Sequence, residues 1–270
     1  PPFFFSTHNP PSPILSGLVG SEMCIRDRGN GRAIAAELGR RGAKLVLVDI
    51  DPQGVEESAE VLRQDGVQAM TIAADCSKVD DIRRAVATAT RSCERIDILV
   101  NNAGIIRVSS FPDVSEADYD ATMGLNARGA YFFMQEIVAY MPDGGRIVNI
   151  SSGAGVDGKT LSPPYAASKA ALITMTKTIA RVLGPRQITV NAVAPGIIDT
   201  PFHEQLDQKI GIEQLGLQPG EFIQQRATDV PLGRIGTSQD VAGVVAFLTS
   251  PAAAYITGET VILAGGWVID

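Results

Sequence analysis

Tyr165 and Lys169 stand four residues apart in Tyr-Ala-Ala-Ser-Lys. On a helix that spacing puts a phenol and an amine on one face, about one turn apart. A free tyrosine titrates near ~10 and is a poor proton shuttle at neutral pH. A neighbouring ammonium favours the phenolate, and bringing the phenol to about 7 takes roughly 4 kcal/mol of differential interaction. The pair suits general acid/base work on an alcohol or ketone. Alone, the spacing is a weak signal, because two ordinary helix residues meet it readily by chance. Ser152, thirteen residues before Tyr165, adds a hydroxyl that could hold a substrate oxygen as charge develops there. Ser151 reads as its turn neighbour.

Such groups need strands and turns to carry them. Arg146–Ile150 is a short apolar strand running into Ser151-Ser152-Gly153, and residues 190–194 run into Pro195-Gly196. Residues 96–100 open onto Asn101-Asn102-Ala103-Gly104, and residues 44–48 end at Asp49. Strands that end in small or polar turns, with helical stretches between them, predict an α/β fold. The expected architecture is a single-domain, Rossmann-like, doubly wound parallel sheet with helices on both faces. Ligands in such sheets bind outside the carboxyl ends of the strands, where these turns lie. Asp49 lies eighteen residues after Gly31, where an acidic residue accepts the adenosine ribose hydroxyls and repels a 2′-phosphate. The other role for Asp49 is a helix N-cap, but Asp51, next to Pro52, fits that better. NAD is therefore expected, and NADP less so.

Asn101-Asn102-Ala103-Gly104, Asn126, Ser152, Tyr165, Lys169, Pro195-Gly196 and Thr200 occur in the order and spacing of one family. Over residues 29–270 the chain resembles the single-domain short-chain dehydrogenases/reductases. The resemblance implies an enzyme acting on CH–OH groups, with Tyr165 as acid/base, Ser152 on the substrate oxygen, and Lys169 beside Tyr165. Asn126 would anchor a water relay to Lys169; as a mid-helix Asn it could equally be a neutral surface residue. The cofactor would be held by Gly29, Gly31, Asp49, Asp75, Asn102, Ala103, Gly104, Tyr165, Lys169, Pro195, Gly196, Ile198 and Thr200. Asp75, closing the next strand, would border the adenine, or serve only as a turn residue. Ala264 stands where the family usually carries Asp, which puts subunit contacts near the C-terminus in question.

The first 28 residues fit this frame poorly. A nucleotide-binding fold should open with an apolar strand feeding a glycine-rich turn. Here Gly29-Asn30-Gly31 survives, Ile25 stands where the first glycine belongs, and residues 19–23 make a poor strand. Residues 15–19 are more apolar but sit four positions early. Residues 21–28 resemble translated sequencing-adaptor read-through. Residues 1–28 are therefore expected to be a non-native or disordered leader in place of a lost strand and turn. A divergent N-terminus or processed leader is the alternative, although the segment lacks the basic start of a secretory signal.

Net charge is −7 with 45% hydrophobic residues, and no Lys/Arg block suggests nucleic acid. No apolar run reaches a membrane span. Cys24, Cys76 and Cys93 are odd in number and irregularly spaced, which suits reduced thiols in a cytoplasmic protein. Cys76 is a weak redox candidate, and no Cys/His cluster has metal-ligand spacing. Residues 200–231 read as a substrate lid, broken by Gly216, Pro219 and Gly220 into two helical pieces. A surface helical hairpin would look the same. Its Gly-x-x-Pro-Gly-Glu segment resembles relatives acting on polyols, diols and acetoin-like ketones.

The expected partner is a small alcohol or ketone, with the chain as a homotetramer or homodimer. The apolar stretches 131–134 and 170–173 could supply subunit faces or simply be core. A 3-oxoacyl-acyl-carrier-protein reductase is the nearest rival, and a non-catalytic nucleotide-binding scaffold is the rival of another class.

Overall fold

The computed structural model of the chain describes residues 13–17, 29–93, 95–158, 160 and 162–268. Strand and helix alternate from its start: β1 (Pro13–Gly17), α1 (Asn30–Arg40), β2 (Lys44–Asp49), α2 (Pro52–Gln64), β3 (Ala69–Ala73), α3 (Val79–Ser92) and β4 (Ile98–Asn101). There follow α4 (Glu116–Met123), α5 (Ala130–Ile137), β5 (Arg146–Ile150), α6 (Ala154–Asp157), α7 (Pro163–Leu183) and β6 (Thr189–Pro195). The last third holds β7 (Ile198–Asp199), α8 (Pro201–Leu206), α9 (Glu221–Thr228), β8 (Gly236–Thr237), α10 (Ser238–Leu248) and β9 (Thr260–Leu263).

Seven strands form one parallel sheet in the order β3-β2-β1-β4-β5-β6-β9. Sequences without polar alternation dictate this. β6 buries all seven of its residues, and β2 buries every residue after Lys44, as strands covered on both faces must. One apolar layer joins Val46, Ile82, Leu99, Phe133 and Leu172. The other joins Ile34, Leu45, Val100, Val148 and Val245 on the opposite face. The fold is the doubly wound α/β architecture expected, and its strand order reverses between β1 and β4. The crevice at that reversal is where such sheets bind ligands.

The central position, expected to have lost its strand, is taken by β1. Its Leu15 stands beside Val46 of β2, and its Gly17 beside Asn101 of β4. Its Pro-Ile-Leu-Ser-Gly sequence carries the adjacent apolar residues that a central strand needs. Its proline occupies the first strand position, where a missing N–H is tolerated. Residues 1–12 and 18–28, with the adaptor-like stretch and Ile25, lie outside the described residues.

Two local departures from regular helix matter for the site. α4 and α5 are joined through a π-turn at Gly124–Gly129, so Asn126 sits in a helical bulge rather than in a regular helix. α8 likewise continues into a π-turn at Asp207–Ile212 before the chain turns at Gly216 and Gly220, with φ of +69° and +82°. These two glycines take the left-handed conformation that a side chain would disfavour. The 200–231 segment, expected as a lid, is thus two helical pieces, pinned together where the Gly220 amide donates to Asp207 Oδ2 at 2.6 Å. No helix among the described residues is long and apolar enough to cross a membrane.

Candidate active site

A cleft of about 300 Å³ opens at the carboxyl ends of the strands. The turn after β4 gives it Asn102 and Gly104, the turn after β5 gives Ser151 and Ser152, and β6 with its turn gives Pro195, Gly196 and Ile198. Gly29 and Asn30 enter from the start of α1, Tyr165 and Lys169 from α7, and Thr200, His203 and Arg226 from the lid side. Tyr165, Lys169 and Ser152, singled out by two spacings in the sequence, therefore share one cavity.

α7 begins with Pro163 and Pro164 in its first turn, where a missing N–H costs nothing. Tyr165 follows in that same turn and Lys169 one turn on, with the Lys169 ammonium 5.8 Å from the centre of the Tyr165 ring. Lys169 is only 3% exposed, and its Nζ donates to the Ile150 carbonyl at 2.8 Å. The end of β5 is thus tied to α7 through the lysine. Ser151 tightens the same joint, its hydroxyl donating to the Lys169 carbonyl at 2.8 Å. Ser152 faces the cleft half-buried, and its Oγ accepts the Ala154 amide at 3.2 Å. Both serines line the cleft, and Ser151 in addition ties the end of β5 to α7.

Asn126 does not line the cleft but stands behind it, fully buried. Its Oδ1 accepts the Ile105 amide at 2.8 Å, while Nδ2 donates to the Ile105 carbonyl at 2.9 Å and to Ser168 Oγ at 3.0 Å. The neutral surface reading of this asparagine is therefore wrong. A side chain at Gly104 would approach Lys169 Nζ at 3.1 Å and Asn126 Oδ1 at 3.2 Å, so the missing Cβ leaves room for both. Ser168, Asn149 and Thr176 escaped sequence reasoning. Asn101 Nδ2 donates to Asn149 Oδ1 at 2.8 Å, and Asn149 Nδ2 donates to Thr176 Oγ1 at 2.9 Å. This buried polar chain runs from β4 through β5 to α7. Asn101 is thus tied into the sheet and is absent from the cleft wall. Polar residues inside otherwise apolar strands were the signal that could have found it.

Of the residues expected to hold cofactor, Gly29, Asn102, Gly104, Tyr165, Lys169, Pro195, Gly196, Ile198 and Thr200 line the cleft. Gly31, Asp49, Asp75 and Ala103 do not. Gly31 is buried in the first turn of α1, and Ala103 packs against the core. Asp49 is fully buried at the end of β2, its Oδ1 accepting the Asp51 amide at 2.8 Å. Asp51 caps α2 through the Gln53 amide, as its place before Pro52 predicts. Asp75 behaves as a turn residue, accepting from the Ser77 amide and hydroxyl and pairing with Lys78 at 3.2 Å. Burial raises its proton affinity, but the bonds from Ser77 and Lys78 outweigh that and hold the carboxyl below its usual range. The Cys76 thiol beside it is buried and pushed up, first by desolvation and then by Asp49, which keeps it protonated.

These residues fit a dinucleotide. The α1 terminus at Gly29 and Asn30 faces the cleft, and the first amides of a helix suit a pyrophosphate. Asn30 Oδ1 is buried there without a hydrogen-bond partner.

The lid end has a different character. His203 is held neutral, its pKa lowered from 6.5 to about 4 by burial and then by the charge of Arg226, against a hydrogen bond to the Ile198 backbone. The Arg226 guanidinium lies 4.9 Å from the Trp267 ring and 5.4 Å from that of Phe222. Ala264 abuts the Pro195-Gly196 turn so closely that a Cβ on Gly196 would come within 2.8 Å of its own.

A family model described as enoyl-(acyl carrier protein) reductase matches residues 24–268. The 3-oxoacyl-acyl-carrier-protein reductase of Thermotoga maritima is 35% identical, covering 89% of this chain and 94% of its own. A glucose/ribitol dehydrogenase from Brucella melitensis, solved as a short-chain dehydrogenase/reductase, superposes with a TM-score of 0.84 at 33% identity, over 96% of this chain and 97% of that one. A blue fluorescent protein from a metagenomic library, solved with NADPH, gives 0.82 at 33% identity over 95% and 98%.

Proposed function

The chain belongs to the short-chain dehydrogenase/reductase family, and on that premise we propose that it is an NAD-dependent dehydrogenase interconverting a secondary alcohol and a ketone. The observation that carries this reading is the approach of the Lys169 ammonium to the Tyr165 ring, in a cleft that Ser152 also lines. In the reductive direction Tyr165 Oη gives its proton to the forming alkoxide, and in the oxidative direction it takes the hydroxyl proton back. Ser152 Oγ donates to the same oxygen and stabilises its developing charge. Lys169 favours the phenolate by its charge and would hold the ribose hydroxyls of a bound nicotinamide nucleotide. Asn126 holds the turn that carries Gly104 and anchors a proton relay behind Lys169. A bound nicotinamide would accept or deliver the hydride. Gly29, Asn102, Gly104, Pro195, Gly196, Ile198 and Thr200 would hold it by backbone and short side chains. Gly31, Ala103 and Asp75 would support it from behind.

Asp49 at the end of β2 supports NAD over NADP, since a buried carboxylate there opposes a 2′-phosphate. The NADPH-bound neighbour weighs the other way, so the preference rests on this residue. The glucose/ribitol dehydrogenase likeness favours a polyol, diol or acetoin-like substrate. The Thermotoga relative favours an acyl-carrier-protein substrate, against which stand Asp49 and the net charge of −7. A cytoplasmic homotetramer or homodimer belongs to the same proposal. Tyr131 on α5 and Val182 on α7, 41% and 67% exposed, offer apolar surface for it. The central test is Tyr165→Phe, which should lower turnover by about 10³-fold or more while NADH fluorescence still reports binding. Retained turnover would remove Tyr165 as the acid/base.

A further inference from the structure

Among the described residues that line the cleft, the charged side chains are Lys169 and Arg226, and no Asp or Glu is present. Lys169 is engaged at the Ile150 carbonyl and beside Tyr165. Arg226 forms no ion pair among the described residues. Its guanidinium is instead held between two rings, Trp267 at 4.9 Å and Phe222 at 5.4 Å, which fix its direction without neutralising it. Burial lowers its hold on its proton, and Asp229 only partly offsets this. A partly desolvated cation without a counter-ion is a costly arrangement that a bound anion relieves.

Arg226 lines the same cleft as Tyr165 and Ser152. A Cβ at Gly196 would lie 3.5 Å from the Trp267 ring, and the Pro195 carbonyl accepts the Gly153 amide at 2.8 Å. A chain of contacts, through Trp267 and the Pro195-Gly196 turn, thus links the guanidinium to the segment that carries Ser152. Leu206 and Ile210 give the same end of the cleft apolar walls. A guanidinium offers donors only, in a fork that matches a carboxylate better than a neutral polyol hydroxyl.

We infer that the substrate is a small hydroxy or oxo acid whose carboxylate is held by Arg226 while its carbinol or carbonyl carbon lies at Tyr165 and Ser152. This rests on the dehydrogenase reading above and narrows its substrate class from neutral polyols to acid anions. In oxidation the carbinol C–H bond breaks and its electron pair goes to the oxidised nicotinamide as hydride. The O–H proton goes to Tyr165, and a ketone forms with the carboxylate unchanged. Reduction reverses each transfer. Leu206, Ile210 and Trp267 would pack the short chain between the two groups.

The full chain carries a single tryptophan, Trp267, which lies against Arg226 and reports on the site directly. The probes are 2-, 3- and 4-oxopentanoate, each compared with its uncharged amide, titrated against Trp267 emission and assayed for NADH oxidation. The inference expects at least one acid to bind about 30-fold more tightly than its amide, with the same preference in kcat/KM. In Arg226→Gln that preference should fall to within about threefold, and Arg226→Lys should keep part of it. An acid preference that survives Arg226→Gln overturns the assignment, as does the absence of any preference in the unmodified chain. Loss of NADH affinity in Arg226→Gln, with no change in the acid-to-amide ratio, would assign Arg226 to the cofactor pyrophosphate instead. Arg226-dependent binding of an acid, with no NADH oxidation on any probe, would sink the dehydrogenase reading and leave the anion site standing.

Discussion

His203 shows how one buried side chain couples the lid to pH. Its pKa is about 4 in the folded chain against an ordinary 6.5, with burial the main cause. Between those values the unfolded chain binds the extra proton, so stability rises with pH from about 4 to about 6.5 and is flat above. The loss on acidification is on the order of 3 kcal/mol. His203→Gln should flatten that part of the curve, so the difference in melting temperature between variant and parent shrinks toward pH 4. A parallel offset at all pH values would show that the imidazole does not titrate in this window. Asp49 makes the other prediction at this scale. Removing its charge with Asp49→Ala should move the NADPH-to-NADH affinity ratio toward NADPH by about tenfold or more, measured by nucleotide fluorescence. An unchanged ratio would place cofactor choice elsewhere.

Helices and turns bring these residues together, and here small shapes matter more than residue class. Gly129, at the end of the π-turn that holds Asn126, lies so close to the strand-end loop that a Cβ would sit 2.2 Å from the Cys76 carbonyl oxygen. Backbone cannot yield to that, so Gly129→Ala should cost about 1 to 3 kcal/mol, read from urea unfolding. A neutral substitution would mean the helix can slide at the bulge. Much of this scale was legible in the sequence. Largely apolar runs marked β2, β5 and β6, and Gly216, Pro219 and Gly220 marked the break between the two helical pieces of residues 200–231. The π-turns were not legible, because one extra residue in a helix leaves no compositional trace. Nor were the Asn149–Thr176 bond and the stacking of Arg226 on Trp267, which join positions far apart in the chain. The grouping of Ser152, Tyr165 and Lys169 in one cleft was readable because they fall at fixed local spacing, whereas the Arg226 end of the cleft is assembled from separate segments.

For the whole molecule, the sheet is only as complete as its centre. β1 has a strand on each side, pairing four residues with β2 and four with β4. A chain beginning at residue 18 would leave unpaired backbone on both flanking strands, at the reversal point where the cleft opens. That truncation should show no cooperative thermal transition and no NADH binding. A folded, binding product would show that β2 and β4 close on each other without it. The central place of β1 also has a consequence in time. Ser16, paired with Leu47 of β2, must wait for Val100, about 80 residues later in the chain, before it gains its second neighbour. At about 5 to 20 residues per second, a ribosome takes roughly 4 to 16 seconds to deliver it. Throughout that interval β1 cannot finish its pairing, so slower translation lengthens its exposure to other sticky chains.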